Sequence, residues 1–288
     1  MSRLSVFMPV FNGARFLPQA IESLRGQTFR DVELVVVDDG STDGTAGVVA
    51  AWAVRDSRVR LVRHARNLGL SAARNTGWRA ADPGAPYLMN HDGDDLSDPQ
   101  KLERLVSALD RSPSWSAAGC FCRYVDEGGR TLGWPALEWR PSLIRLSFAD
   151  LNSMAISATL IRRSMLDDVG PFRPEYGGCD DYDFWARALA RGHRLANIPA
   201  VLHAIRLHAG SMGATETDQM DAHARRVSAD YRSAVEVPRV VSRAVVKSLR
   251  GRMLLRQPEL LRLPLSVRRT RRAAGAGEPT KPRGGDWA

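Results

Sequence analysis

Short apolar runs alternate with helical periodicities through the first 115 residues. LSVFMPV (4–10) and VELVVVDD (32–39) predict strands, because each run is short, apolar and followed by turn residues. Continuous hydrophobicity without alternation is typical of parallel strands that are covered on both faces. Two more strands are predicted at 59–64 and 87–90, and stretches of helical spacing separate all four. This βαβαβαβα pattern predicts an α/β fold with an open, mostly parallel sheet and helices on both faces.

The periodicity changes after about Trp115. A turn at 127–130 separates two apolar segments and predicts a hairpin, and residues 155–163 predict another strand. Residues 181–192 predict a helix that ends at its glycine. From about Glu216 the pattern predicts further helices, and the last residues, rich in Gly and Pro, predict a disordered tail.

The positive charge of the chain lies almost entirely in its C-terminal part. Residues 222–288 carry 16 Lys and Arg against 5 Asp and Glu, whereas residues 1–221 carry 25 against 27. We do not expect nucleic acid as a partner, because this basic part has few of the aromatic residues on which single strands stack. No apolar run reaches the ~20 residues that span a bilayer, and no signal peptide is recognised, so we expect a cytoplasmic protein.

Residues 237–255 (VPRVVSRAVVKSLRGRMLL) combine an apolar stripe with several Arg and Lys residues. A basic amphipathic helix of this kind suits an anionic membrane surface, which would place the protein peripherally on the inner face of the cell membrane. Docking of the stripe onto the main domain, with the charges left in solvent, explains the pattern equally well. Both interpretations stay open at the level of sequence.

Four carboxylates lie within seven residues at the predicted end of the fourth strand, in NHDGDDLSD (90–98). Asp98 precedes a proline and predicts a helix N-cap. Asp92, Asp94 and Asp95 exceed what capping requires, and crowded carboxylates repel each other unless a cation relieves the repulsion. Carboxylates together with waters and phosphate oxygens are the usual ligands of Mg²⁺ and Mn²⁺. The cluster therefore predicts a divalent metal site at this edge of the sheet.

Three further features allow two interpretations each. Asp38 and Asp39 end the second strand, where they suit either a strand-to-helix turn or contacts to a base or ribose. The acids of GCDDYDFW (178–185) are favourable at the positive end of a helix dipole, and one of them could serve as a base if it faced a cleft. His208 suits a metal or phosphate, but a single histidine is more often an ordinary loop residue.

Five segments, taken in order, resemble glycosyltransferase family two, which has the GT-A fold. They span residues 4 to about 212 and read SVFMPVFNGARFLPQAIESLRGQTFRDVELVVVDDGSTDGT, NLGLSAARNTGWRAA, DGDDLSDPQKL, CDDYDFWARALARG and IRLHAGS. The resemblance implies transfer of a sugar from a nucleotide-diphosphate donor, with inversion at the anomeric carbon. It also implies a divalent metal cofactor, Mn²⁺ or Mg²⁺.

The resemblance implies roles for individual residues at matching positions. Asp181 is the second acid of a pair that the family usually writes Glu-Asp, and it matches the catalytic base. Asp92 and Asp94 match the D-x-D motif that holds donor and metal, and His208 falls where many members place a histidine near the diphosphate. The implied donor-binding residues are Pro9, Val10, Asn12, Asp39, Arg74 and Asp92.

The family organisation implies a nucleotide-sugar-binding half at 1–115 and an acceptor-binding half at 116–214, with 215–288 as a basic helical extension and tail. The expected acceptor is a hydroxyl of a glycan, a lipid-linked molecule or a small molecule. A non-catalytic nucleotide-sugar-binding protein of the same fold is the alternative. The chain departs from the family at Asn90 and His91, where apolar residues are usual, and we expect this pair to tune the donor pocket.

Overall fold

The computed structural model describes residues 2–135, 137–211, 218–238 and 240–247. In this part of the chain nine strands form one sheet: β1 (Leu4–Val10), β2 (Val32–Asp38), β3 (Val59–Arg63), β4 (Tyr87–Asn90), β5 (Leu96–Ser97), β6 (Ala117–Val125), β7 (Thr131–Gly133), β8 (Thr159–Arg162) and β9 (Leu195–Arg206). Their order across the sheet is β3-β2-β1-β4-β8-β6-β9-β5, and β7 pairs with β6.

Helices follow most of the strands. Their bounds are α1 (Leu17–Arg25), α2 (Thr45–Arg55), α3 (Leu70–Ala80), α4 (Lys101–Arg111), α5 (Pro141–Ser147), α6 (Arg163–Val169), α7 (Asp180–Ala190) and α8 (Asp218–Val235). One-turn 3₁₀ helices lie at Ile156–Ala158 and Pro174–Tyr176. Residues 240–247 are also helical.

Strand β1 is the centre of the parallel part of the sheet. It pairs in parallel with β2 on one side and β4 on the other, and all seven of its residues are buried. Val6 and Met8 belong to one hydrophobic cluster and Phe7 to a second, so successive side chains enter different clusters. Two covered faces explain the continuous apolar run. The predicted α/β fold with a parallel first half is confirmed.

The second half continues the same sheet with mixed directions. Strand β8 is antiparallel to both β4 and β6, whereas β9 runs parallel to β6. The predicted hairpin is present between β6 and β7, closed by the Asp126 amide donating to the Arg130 carbonyl at 2.9 Å. The division of the chain at residues 115 and 116 stays a prediction.

Several local predictions differ from the structure. Helices α5 and α6 and the two-residue strand β5 were not predicted, because each is too short to show a period. The strand expected over 155–163 begins only at Thr159, after a 3₁₀ turn. The N-cap predicted at Asp98 is wrong: helix α4 begins at Lys101 with Gln100 at its N-cap. Asp98 instead forms an Asx turn, in which its Oδ1 accepts the Gln100 amide at 2.9 Å.

The C-terminal extension packs against the main domain over its described residues. Val227 and Tyr231 of α8 are buried in the second hydrophobic cluster. Val237 is also buried, whereas Val240 and Val241 are exposed by 74% and 38%. Of the apolar residues in the amphipathic stripe, some are therefore packed against the domain and others are exposed to solvent. Its residues beyond 247, and the tail predicted to be disordered, lie outside the described residues. No described helix is both long and apolar enough to cross a membrane.

Candidate active site

A cleft of about 840 Å³ opens at the carboxyl ends of β1 and β4. Parallel α/β sheets bind ligands at this edge, because the loops that follow the strands diverge there. The cleft brings together most of the residues that the sequence predicts for a site. Those that line it are Pro9, Val10, Asn12, Arg74, Asp92, Asp94, Asp181 and His208.

Gly93 explains why the two acids of D-G-D reach the cleft together. A Cβ atom at position 93 would overlap Cγ2 of Val10, and it would lie 3.7 Å from Cδ1 of Leu17. Only a residue without a side chain lets the loop lie this close to the end of β1. Asp92 and Asp94 are thereby held on either side of the contact, over the same strand end.

Asp94 and His208 form a pair on the cleft wall. His208 Nε2 lies 2.9 Å from Asp94 Oδ2, and the imidazole packs against the Phe16 ring with 4.7 Å between centroids. Burial, together with the neighbouring carboxylates of Asp95 and Asp92, raises the pKa of Asp94 to about 6. The structure thus joins an acid and a histidine that lie 114 residues apart in sequence.

Asp95 lines the cleft at its buried base and supports the loop. It is buried, and its Oδ1 accepts the Arg206 amide at 3.0 Å. Its Oδ2 accepts the Ser157 hydroxyl at 2.8 Å and lies 2.9 Å from His203 Nε2. Lys101 Nζ donates to the other ring nitrogen of His203 at 3.0 Å, which leaves Nε2 to donate to Asp95. Burial raises the pKa of Asp95 to about 7.

Asn90 and His91 support the same loop from below. Asn90 Nδ2 donates to Asp92 Oδ1 at 2.9 Å, and His91 Nδ1 lies 2.8 Å from the Asp92 carbonyl. A carbonyl only accepts, so His91 carries its proton on Nδ1 and accepts from the Ser97 hydroxyl on Nε2. Both side chains are buried, and neither lines the cleft. Their placement indicates that they hold Asp92 in position and do not contact the donor directly.

Arg74 connects the D-G-D loop to helix α7. Its Nη1 donates to Asp180 Oδ1 at 2.7 Å, and its Nη2 lies 3.8 Å from Asp92 Oδ1. Burial alone would lower the pKa of Arg74, but the carboxylates of Asp180, Asp92 and Asp181 outweigh it, and the pKa is raised. Asp180 also accepts the Ser71 hydroxyl at 2.8 Å. Asp180 therefore ties α7 to α3, beyond the helix-dipole role that its position suggests.

Asp181 lies in the first turn of α7, on the wall of the cleft. Burial raises the pKa of its carboxyl group to about 6, with Arg74 opposing the rise and Asp180 adding to it. The Tyr182 amide donates to Asp181 Oδ1 at 2.7 Å, which limits rotation of the carboxylate. The carboxylate is thus ionised at neutral pH, and its pKa is close enough to 7 for it to accept a proton during a reaction.

The resemblance implies that Asp181 is the general base, and on that assignment turnover is expected to fall as the pH decreases through about 6, because the base must be deprotonated and Asp181 has a pKa of about 6. The measurement is kcat between about pH 5 and 8, with donor and Mn²⁺ both saturating. Saturating metal is required because Asp94 protonates in the same range. A profile that stays flat down to pH 5 would contradict the assignment of Asp181.

Asp39 is the one predicted donor-binding residue that does not line the cleft. Its carboxylate accepts the backbone amides of Leu68 and Gly69 at 2.9 Å each, and His64 Nδ1 lies 2.6 Å from Oδ1. These contacts fix the turn before α3, whose first residue, Leu70, does line the cleft. Contact between Asp39 and a base stays a prediction.

Arg206 is a site residue that the sequence reasoning missed. Its guanidinium is buried and donates to the Asp94 carbonyl at 2.8 Å, to Gln19 Oε1 at 2.7 Å and to the Glu127 carbonyl. It therefore fixes the backbone of the metal-site candidate Asp94. The signal was its spacing: Arg206 and His208 are two residues apart, the period that places side chains on one side of an extended chain.

The residues present fit a divalent metal of the Mg²⁺ or Mn²⁺ class. No group of three or more His, Cys, Asp or Glu residues is arranged to hold a metal ion within the described ranges. Such metals usually take only one or two carboxylates from the protein, and complete their shell with substrate phosphates and water. Asp94 and His208 supply an oxygen and a nitrogen at the open cleft, and the crowding of Asp92, Asp94 and Asp95 favours a cation there.

Comparison with known proteins identifies the family to which the chain is similar. The family model described as glycosyl transferase family 2 matches residues 5–170. An uncharacterised glycosyltransferase from Haemophilus influenzae is 24% identical over 237 residues, which cover 78% of this chain and 71% of that protein. The glycosyltransferase GlyG from Streptococcus pneumoniae is 28% identical over 126 residues, covering 44% of this chain and 41% of that protein.

Solved structures share the fold. S. aureus TarS 1–349, in complex with UDP-GlcNAc, has a TM-score of 0.67 at 19% identity, over 88% of this chain and 73% of that chain. The mannosyltransferase PcManGT from Pyrobaculum calidifontis, in complex with GDP-Man and Mn²⁺, has a TM-score of 0.60 at 18% identity, over 94% and 86%. These similarities confirm the GT-A fold class that the sequence predicted.

Proposed function

This chain belongs to glycosyl transferase family 2, and on that basis we propose that it moves a sugar from a nucleotide-diphosphate donor to an acceptor hydroxyl, with inversion at the anomeric carbon. The chain is a glycosyltransferase, as its family and relatives indicate. The proposal adds a dependence on Mn²⁺ or Mg²⁺ and an acceptor that is a glycan, a lipid-linked molecule or a small molecule.

The observation that carries the proposal is the arrangement of two acidic groups around one cleft. Asp94 lies on the D-G-D loop beside His208, and Asp181 lies on α7. Arg74 bridges the two elements through Asp92 and the residue before Asp181. If Asp94 and His208 hold the diphosphate of the donor, the anomeric carbon of the donor sugar would lie between the D-G-D loop and Asp181.

In the proposed reaction the acceptor oxygen attacks the anomeric carbon from the face opposite to the leaving diphosphate. The new C–O bond forms while the bond from the anomeric carbon to the diphosphate oxygen breaks with its electron pair. The hydroxyl proton passes to the carboxylate of Asp181. A bound divalent metal, held by Asp94 and His208 with Asp92 close by, would act as a Lewis acid toward the charge on the leaving diphosphate.

We assign donor binding to the end of β1, the turn that follows it and Arg74. Pro9, Val10 and Asn12 line the cleft, and Phe11 between them is 49% exposed. An exposed aromatic ring at a cleft suits stacking against a nucleotide base, because both partners then lose apolar surface to water. Arg74 lines the cleft beside them, and its Nη2, 3.8 Å from Asp92 Oδ1, holds the D-G-D loop next to the proposed donor position.

A screen of nucleotide-sugars tests the proposed function directly. Full-length protein is heated with UDP-, GDP- and dTDP-sugars, each with and without Mn²⁺, and the Tm is recorded. We expect one donor to raise the Tm, and to do so only when metal is present, because ligand binding stabilises the folded state by mass action. If no donor changes the Tm under either condition, the proposal is wrong. Binding without donor turnover would instead favour the non-catalytic alternative.

We also propose that the C-terminal extension attaches the enzyme peripherally to an anionic membrane on its cytoplasmic face. Two exposed valines, Val240 and Val241, lie beside Arg243 and Lys247, whose side chains are exposed as well. Apolar and cationic groups together are what an anionic lipid surface binds. The docked side of the extension, with Val227 and Tyr231, would keep this patch fixed to the catalytic domain.

Removal of residues 248–288 is expected to weaken binding to vesicles of phosphatidylglycerol and phosphatidylcholine by at least about 10-fold, because it removes most of the basic tail. Sedimentation with vesicles measures the partition, and pure phosphatidylcholine vesicles are the control. Truncation at residue 215 would be a poorer test, because it removes the buried Val227 and Tyr231. Equal binding of both chains would refute attachment through residues 248–288, because the patch at 240–247 is present in both.

A further inference from the structure

We propose that the acceptor is an uncharged alcohol with an apolar body next to its reacting hydroxyl, as in alkyl and aryl glycosides. The inference rests on the proposed function, because it assigns the second substrate of the same cleft. It is carried by the composition of one wall of the cleft, by the position of the charges, and by the packing that joins this wall to the helix of Asp181.

One wall of the cleft is formed by β6 and the segments that follow it. We call it the acceptor wall; its residues are Tyr124, Pro135, Leu137, Asn152, Met154, Ala155, Ile156 and Ser157. Among these described residues none is charged, and five are apolar. The Ser157 hydroxyl donates to Asp95, and Asn152 Oδ1 accepts the Met154 amide at 3.0 Å, so these two polar side chains already bond within the protein.

The charged groups that line the cleft belong to other segments. Apart from Asp181, they are Arg15, Arg74, Asp92, Asp94, Asp95, Arg206 and His208. The cations of the cleft therefore lie outside the described acceptor wall, and among them Arg15 has an exposed side chain, whereas Arg74 and Arg206 are buried and bonded within the protein. A phosphate on the acceptor would lie near several carboxylates with no cation on its own side, and a charge left unpaired on burial is costly. An apolar body on this wall gains free energy from burial.

The acceptor wall is joined to the helix that carries the base. Tyr182, the residue after Asp181, donates its hydroxyl to the Phe148 carbonyl at 2.9 Å. The two rings pack with 5.2 Å between centroids. Phe148 is followed within a few residues by the wall segment 152–157. Because Asp181 and the acceptor wall line the same cleft, a molecule seated on the wall can present its hydroxyl to Asp181.

A series of acceptors tests the inference on the full-length chain, with the donor found in the nucleotide-sugar screen. Octyl, phenyl and methyl β-glucosides and glucose 1-phosphate are compared by kcat/KM, and the series is repeated with galactosides and N-acetylglucosaminides. We expect the octyl or phenyl member of the accepted series to exceed the methyl member by at least about 10-fold. The sugar phosphate is expected to be the poorest acceptor.

Hydrolysis of the donor without acceptor keeps the two hypotheses separate. If the protein neither binds nor hydrolyses any donor, the proposed function has failed. If donor is hydrolysed and the methyl glycoside or the sugar phosphate is used as well as the octyl and phenyl glycosides, the acceptor inference is wrong while the proposed function stands.

A matched pair of variants assigns the effect to the wall. Leu137 is partly buried and lines the cleft. Leu137→Gln is expected to lower the ratio of octyl transfer to donor hydrolysis by at least about fivefold, because it replaces an apolar contact with an amide. Leu137→Met keeps size and polarity and should change the ratio by less than about twofold. A raised KM for the donor with an unchanged KM for the acceptor would assign this wall to the donor sugar and overturn the inference.

Discussion

Asp181→Asn is expected to lower kcat by about 10²–10⁴-fold, the usual contribution of a positioned general base. The amide keeps the size of the carboxylate and cannot accept the hydroxyl proton. Donor affinity should change by less than about threefold, because a base that acts only in the transition state does not contribute to binding of the donor in the ground state. The measurements are release of nucleoside diphosphate for kcat and calorimetric titration for the donor Kd.

Asp183→Asn is the matched control for this change. Asp183 lies in the same first turn of α7, and its carboxylate pairs with Arg187 at 2.9 Å and with Arg173 at 3.6 Å, away from the cleft. Both substitutions remove one negative charge from the positive end of the helix dipole, so that effect is common to the two. Only Asp181→Asn should lower kcat by about 10²–10⁴-fold. Wild-type rates in purified Asp181→Asn would show that another group accepts the proton.

Asp94→Ala is expected to weaken metal-dependent donor binding by at least about 10–100-fold, the loss seen when even an outer hydrogen-bond partner of a metal ligand is removed. The carboxylate lies in the cleft beside His208. Its removal leaves His208 without the second member of the candidate ligand pair. The measurement is calorimetric titration of the donor at several Mn²⁺ concentrations. KM for the donor should rise with it.

Asp98→Ala provides the control for Asp94→Ala. Asp98 belongs to the same acidic segment, but it is exposed, accepts the Gln100 amide and does not line the cleft. Its replacement should lower the Tm slightly and leave the metal dependence of donor binding unchanged, because it removes a turn contact only. If Asp94→Ala and wild-type protein show the same dependence on Mn²⁺, Asp94 is not a metal ligand.

Between these two acids, Arg74 acts as the structural link. One guanidinium contacts Asp180, the neighbour of the proposed base, and approaches Asp92, which the D-G-D loop holds beside Asp94. A buried cation shared by two carboxylates fixes both elements relative to each other, since moving either one would leave a buried charge without its partner. The distance between the D-G-D loop and helix α7, which carries Asp181, is thus set by packing inside the protein.

The sequence by itself determined the parallel half of the fold and the main candidates of the site. The apolar runs of β1 and β2 indicated strands buried on both faces, because that pattern depends only on local periodicity and burial. The concentration of acids at two strand ends predicted a metal and nucleotide edge by the topology of α/β sheets. The family segments then supplied roles for Asp94 and Asp181.

Only the tertiary structure decided which of these groups meet and which merely support the others. Asp94 meets His208 across 114 residues and Arg74 meets Asp180 across 106, and no periodicity encodes such pairs. His91 lies behind the cleft and Asp95 is buried at its base, and both support the loop, although the sequence does not distinguish them from their neighbours. The resemblance placed an acceptor-binding half at 116–214, but the residues of the acceptor wall come from β6 and from irregular segments after it, and only the assembled cleft brings them together. The local sequence pattern indicates which residues are buried. A site depends on the distances between groups from remote segments, and these distances are fixed only when the sheet assembles.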